Sequence, residues 1–176
     1  MARIALIAAF AATPLAAQDL VLEMEAGEIR IDLAEEAAPL HVERISTLAG
    51  EGAYDGVAFH RVIEGFMAQT GDVGCGVADA TCPAGTGGSD YDDLPAEFSD
   101  ISFERGVVGM ARTADPDSAN SQFFIMFAPA PHLNGQYTVI GEVTEGMEIV
   151  DGITRGSGQG GTVADPDRIV SARIED

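Results

Sequence analysis

The stretch FHRVIEGFMAQTGD, from Phe59 to Asp72, holds two short strand candidates, 58–63 and 66–70, and ends where regular patterning stops. Upstream of it, residues 20–25 and 28–33 alternate apolar and polar, and Ala26-Gly27 between them reads as a tight hairpin turn. Residues 38–48 change to helical spacing, with Leu40, Ile45 and Leu48 on or near one face and Gly50 and Gly52 as stop signals. Downstream, 106–111, 122–127, 137–144 and 169–174 read as strands, and 147–153 reads as a short second helix closed near Gly156. About eight short strands and two helices predict a mainly β fold, a closed eight-stranded antiparallel β-barrel capped by two α-helices.

Between 71 and 100 Gly, Asp, Ser and Pro dominate, and Glu97-Phe98 is the one strong hint of docking. A structureless segment of this length in a compact domain is functional or locally stapled. Cys75 and Cys82, the chain's 2 cysteines, both lie in it. In an oxidising compartment such a pair reads as a disulfide, contributing about 2.5 kcal/mol on the chain-entropy model. Free thiols and a metal site are the alternatives, although six intervening residues do not match the short ligand spacing of usual zinc sites.

Residues 1–17 look unlike the rest. Arg3 is a basic start, 4–12 is apolar, and Pro14-Leu15-Ala16-Ala17 ends in small residues. A membrane span needs roughly 20 apolar residues, so this segment reads as a secretory signal cut after Ala17, leaving one domain over 18–176. Gln18, not Cys, follows the cut, so no lipoprotein anchor is expected. The protein is expected in the periplasm, or outside the cell. Of 176 residues 29 are acidic and 9 basic, a formal charge of −20. Such a surface repels phosphate backbones and anionic membranes, which argues against a nucleic-acid partner. No interface signature is present, and a monomer is expected.

Three segments carry the chemistry. The first is the opening stretch, with Phe59-His60-Arg61-Val62-Ile63, Gly65-Phe66-Met67, Gln69, Gly71 and Asp72. The second is Gly109-Met110-Ala111 with Asn120-Ser121-Gln122-Phe123-Phe124-Ile125. The third is Leu133-Asn134-Gly135, Val139-Ile140-Gly141-Glu142-Val143 and Glu145-Gly146-Met147. In this order and spacing they resemble the cyclophilins, over roughly residues 20–175.

The resemblance implies a barrel whose outer face binds proline-containing segments of unfolded or partly folded proteins. It also implies peptidyl-prolyl cis–trans isomerisation without a cofactor, a metal or a covalent intermediate. It makes Arg61 the catalytic residue. It places Phe66, Met67, Phe124 and Leu133 around the proline ring, Gln69 and Gln122 at the polar rim, and Ala111 where backbone groups pair with the peptide. Three positions depart from the family's common pattern: His132 stands for a Trp of cyclosporin-binding relatives, Tyr137 for a His, and Arg112 for an Asn. His132 puts strong cyclosporin binding in doubt, Tyr137 keeps an aromatic wall, and Arg112 is expected as a second cation beside the peptide.

These residue types also make sense physically. Resonance stiffens the X–Pro bond, so a catalyst must favour the twisted state, in which the prolyl nitrogen becomes an acceptor. A guanidinium is a permanently charged donor, and an apolar cup of Phe, Met and Leu grips the ring. His60 reads as a satisfied structural histidine, and 115–120 as a turn, since its faint likeness to a calcium loop lacks the central Gly and distal Glu. A module that captures proline segments without needing catalysis, and a metal-stabilised acidic export protein, are the competing readings.

Overall fold

The computed structural model describes residues 18–175, so the leader expected at 1–17 lies outside them. Strands β1 (Asp19–Met24) and β2 (Gly27–Leu33) form the expected hairpin, with Met24 opposite Gly27. Helix α1 (Pro39–Gly50) follows, then β3 (Arg61–Ile63), β4 (Met67–Thr70), β5 (Val107–Met110) and β6 (Phe123–Met126). After a single 3-10 turn at Pro131–Leu133 come β7 (Val139–Glu145), α2 (Met147–Gly152) and β8 (Ser171–Glu175). All eight strands form one antiparallel sheet in the order β3-β4-β6-β5-β7-β2-β1-β8. The predicted class, strand number and pair of helices are those observed.

The sheet is strongly curled, and its end strands β3 and β8 do not pair with each other. The segment between α2 and β8 runs along the gap instead, bridging Thr162 to Arg61 and Arg168 to Ala58. Further backbone bonds run from Val62 N to Gly161 O, Val163 N to His60 O and Phe59 N to Asp167 O. Glycines and Pro166 in this segment, which lacks a continuous run of N–H donors and apolar side chains, explain why it closes the seam without becoming a strand.

Period-2 alternation on the curled sheet makes two apolar clusters. On β6, Phe123 and Ile125 face the main core with Leu20, Ile29, Ile45 and Phe59. Phe124 and Met126 face the other way, into a second cluster with Met67, Phe103, Leu133 and Val139. Helix α1 lies against β8 and α2 against β2.

Helix α1 differs in one respect from its sequence reading. Leu40 is 44% exposed, while His41 is fully buried beside Val42, Ile45 and Leu48. The reason is Glu97: its carboxylate accepts from the backbone N–H of Leu40 and His41 and lies 2.6 Å from His41 Nδ1. The helix has no capping side chain of its own, and this remote carboxylate satisfies its first free N–H groups and its dipole. Glu97 thus docks the end of the 71–100 segment as expected; Phe98 beside it stays exposed.

Candidate active site

Register brings the site together. Arg61 pairs with Gln69 across β3 and β4, and Gln69 with Phe124 across β4 and β6. Cross-strand partners share a face, so Arg61, Gln69 and Phe124 form a row on the outer side, while Val62, Ala68 and Phe123 face the core. Beside this row a cavity of about 160 Å³ is lined by Arg61, Phe66, Met67, Gln69, Ala111, Arg112, Phe124, Leu133 and Tyr137. Met67, Phe124 and Leu133 are buried, and Phe66 and Tyr137 half-buried. Nine of the residues singled out from sequence therefore converge on one largely apolar cup with two guanidiniums, Arg61 and Arg112, and an amide at its rim.

The guanidinium of Arg61 donates through Nε to Gly160 O at 3.0 Å and through Nη1 to Gln69 Oε1 at 3.1 Å. Arg30, Arg105, Arg155 and Arg173 are paired with carboxylates. Among the described residues Arg61 has no such partner, and neither have Arg44, Arg112 and Arg168. Two neutral acceptors fix the direction of Arg61 and leave the charge uncompensated for whatever enters the cup. Gln69 Nε2 in turn donates to Gln122 Oε1 at 2.9 Å, and Gln122 Nε2 to Gly87 O at 2.8 Å. Gln122 is thus one bond removed from the cup and lines an adjoining, larger polar cavity with Ser89, Asp93, Thr113 and Asn120. Ala111 spends its N–H on Gln122 O, and its carbonyl accepts no hydrogen bond among the described residues.

Arg112 lines the same cavity and, like Arg61, is held by neutral acceptors. It donates through Nε and Nη2 to Gln136 O and through Nη1 to Thr113 O, and its guanidinium lies 4.4 Å from the Tyr137 ring centroid. Bound this way it fastens Tyr137 as a wall of the cup. His132 lies outside the cavity lining, exposed and stacked on Phe66 at 5.8 Å. His60 is buried as a structural residue, but neither ring nitrogen has a hydrogen-bond partner among the described residues. Burial pushes its pKa below the usual histidine value, with the nearby Asp72 charge pulling the other way.

Three supporting positions were not read from the sequence as such. Phe103, alone between Ser102 and Glu104, is buried and stacks on Phe124 at 5.8 Å with 23° between planes. Its only signal is a large apolar side chain in a polar stretch. Gly160 supplies a carbonyl, and a carbonyl leaves no trace in side-chain pattern. Gly109, quoted in the second motif, sits where a Cβ would lie 2.6 Å from Phe103 Cε1 and 2.7 Å from Phe124 Cζ. Gly109→Ala is therefore expected to push both rings, costing about 1–3 kcal/mol of stability and raising KM for a proline peptide. Urea melts and steady-state kinetics check it; an unchanged KM would show that the two rings can shift without altering the cup.

Cys75 and Cys82 form a disulfide. Among the described residues no group of three or more His, Cys, Asp or Glu side chains is placed to hold a metal ion, and no helix is long and apolar enough to cross a membrane. The stretch 115–120 is a turn, with Asp115 Oδ1 accepting from Asp117 N and Ser118 Oγ donating to Asp115 O.

Comparison with known proteins bears on the family and the fold. Residues 20–174 match the family model "Cyclophilin type peptidyl-prolyl cis-trans isomerase/CLD". A probable peptidyl-prolyl cis–trans isomerase of Brucella suis is 56% identical over 160 residues, covering 89% of this chain and 82% of the relative. Peptidyl-prolyl cis–trans isomerase B of Bacillus subtilis is 42% identical over 135 residues, 75% of this chain and 87% of the relative. The crystal structure of a cyclophilin-type isomerase of Cryptosporidium parvum superposes with a TM-score of 0.80 at 26% identity, covering 91% of this chain and 98% of that one. The chain belongs to the cyclophilin-type peptidyl-prolyl cis–trans isomerases.

Proposed function

We propose that this isomerase works by seating a prolyl ring in the Met67–Phe124–Leu133 cup while Arg61 donates to the prolyl nitrogen as the amide twists. In the planar ground state that nitrogen's lone pair is delocalised into the carbonyl; in the twisted state it is free to accept. A donor aimed there binds the transition state better than either ground state, which is what acceleration requires. The observation that carries the reading is the Arg61 guanidinium at the rim of an apolar cup, tethered only by neutral acceptors. Apolar walls exclude water around the charge and strengthen its effect. The Ala111 carbonyl is left for the N–H of the bound peptide. No step needs a nucleophile, a proton shuttle or a cofactor, and the clients are proline-containing segments of unfolded or partly folded chains. The test is an Xaa-Pro isomerisation assay on the wild type beside Arg61→Ala, with peptide affinity measured separately.

The working place of this enzyme, in our reading, is an oxidising compartment outside the cytoplasm. The Cys75–Cys82 disulfide and the leader-like sequence of residues 1–17 support it. Mass spectrometry of the protein from its native cells is expected to find a chain beginning at Gln18 in the periplasmic fraction. Recovery of the intact chain from the cytoplasm would refute this.

A further inference from the structure

A glutamine amide can face either way in a network, and only groups of fixed polarity decide which. The row Arg61–Gln69–Gln122–Gly87 has such groups at both ends: the guanidinium only donates and the Gly87 carbonyl only accepts. Because Gln122 Nε2 donates to Gly87 O, its Oε1 faces Gln69 Nε2, and Gln69 Oε1 is left to accept from Arg61. The guanidinium alone already favours this direction; without the Gly87 carbonyl, Gln122 Nε2 is left without an acceptor and the row is held from one end only.

Where that carbonyl sits is decided by the stapled loop. Gly87 N donates to Asp72 Oδ2 at 3.0 Å, Gly85 N to the same oxygen at 2.6 Å, and Cys75 N to Asp72 Oδ1 at 2.8 Å. Gly87 also packs directly on the disulfide: a Cβ there would lie 2.7 Å from Cys75 Sγ. We propose that the Cys75–Cys82 disulfide, through the Gly87 carbonyl it helps hold in place, is a positioning device for Arg61, anchoring the far end of the glutamine row that holds the guanidinium. The inference rests on Arg61 being the catalytic donor. It gives the long 71–100 segment a part in the reaction although neither cysteine nor Gly87 lines the proline cup.

Gln122→Glu provides a chemical test. A carboxylate facing Gly87 O brings two acceptors together and releases the carbonyl. A protonated carboxyl donates to Gly87 O and accepts from Gln69, which restores the anchored row. The kcat of this variant relative to wild type is expected to be about tenfold down near pH 8, the factor that one lost hydrogen bond corresponds to. The ratio should recover severalfold toward about pH 4.5, near the ordinary glutamate pKa. Charged groups around the position are Arg61 beyond Gln69, Arg112 and Asp93 in the adjoining cavity, Asp72 behind Gly87 and His60 beneath Gly85. All are the same in both proteins, so the ratio isolates residue 122; a packing role alone leaves it flat with pH. The double variant Cys75→Ser, Cys82→Ser is expected to lose kcat severalfold with KM within about twofold. A flat ratio, or wild-type kcat in the cysteine variant, overturns the inference. Arg61→Ala in the same assay separates the two levels: full activity there defeats the catalytic reading itself, whereas an inactive Arg61→Ala beside a flat Gln122→Glu ratio defeats only the positioning.

Discussion

Replacing Arg61 with alanine is expected to lower kcat by about 10²–10³-fold, the range seen when one donor is removed from a preorganised electrostatic site. KM for a proline peptide should change little. The apolar cup is formed by Met67, Phe124 and Leu133, which gain nothing from the guanidinium for their own packing. Arg61 is not a folding anchor either: it makes neutral contacts to Gly160 O and Gln69 Oε1 and pairs with no carboxylate among the described residues. Lowering a half-time of about 100 s to about a millisecond takes about 10⁵-fold, or about 7 kcal/mol. A hydrogen bond to a charged group nets about 1.5–3 kcal/mol. Arg61 therefore supplies part of the acceleration, and the alanine variant should keep a residual rate from the preformed cup. Arg61→Lys is expected to fall between the two, because an ammonium keeps the charge but cannot hold Gly160 O and Gln69 Oε1 while aiming a third N–H at the substrate. Steady-state kinetics with peptide binding measured by calorimetry decides the matter; wild-type turnover in Arg61→Ala refutes the assignment.

How much of this was legible in the sequence depends on what each residue does. The strands and the cup were legible, because they rest on side-chain identity and period. On β6 even the division of labour shows: Phe123 faces the core and Phe124 the cup. The alternation there is not one of polarity, since both faces of the strand are buried, and the motif was needed to fix which ring goes where. What the sequence did not reveal are contacts made by backbone groups or across long separations. Gly160 and Gly87 act through carbonyls, which any residue possesses. Glu97 caps a helix that begins at Pro39, 58 residues upstream, and that contact is why His41 goes inside and Leu40 outside. For Arg112 the charge was visible in the sequence, whereas the Gln136 and Thr113 carbonyls that orient it were not.

The largest loss of stability is expected from Asp72→Ala, which lies outside the cup. Asp72 is fully buried, yet no basic side chain hydrogen-bonds it among the described residues. Its carboxylate is held by three backbone N–H groups, from Cys75, Gly85 and Gly87. The loop wraps it so closely that Cβ atoms have no room. One on Gly87 would lie 2.6 Å from Asp72 Oδ1, and one on Gly76 would lie 2.4 Å from the Asp72 carbonyl oxygen. Glycine is required at these places because the backbone itself must touch the acid. Removing the carboxylate strands three donors at once, each worth about 1–3 kcal/mol when left unpaired. Gly85 and Gly87 lie nearer the surface than Cys75, so water recovers part of the cost, and a net loss of roughly 3–4 kcal/mol is expected. Asp72→Asn should cost less, since one oxygen still accepts while the amide nitrogen faces N–H groups it cannot satisfy. The disulfide keeps the loop from leaving altogether, so Asp72→Ala and the double cysteine variant act on the same segment, and their effects should not add. Urea melts of the single and combined variants measure this. A midpoint for Asp72→Ala equal to that of the wild type, at an unchanged slope, would mean that the loop stands without its acid.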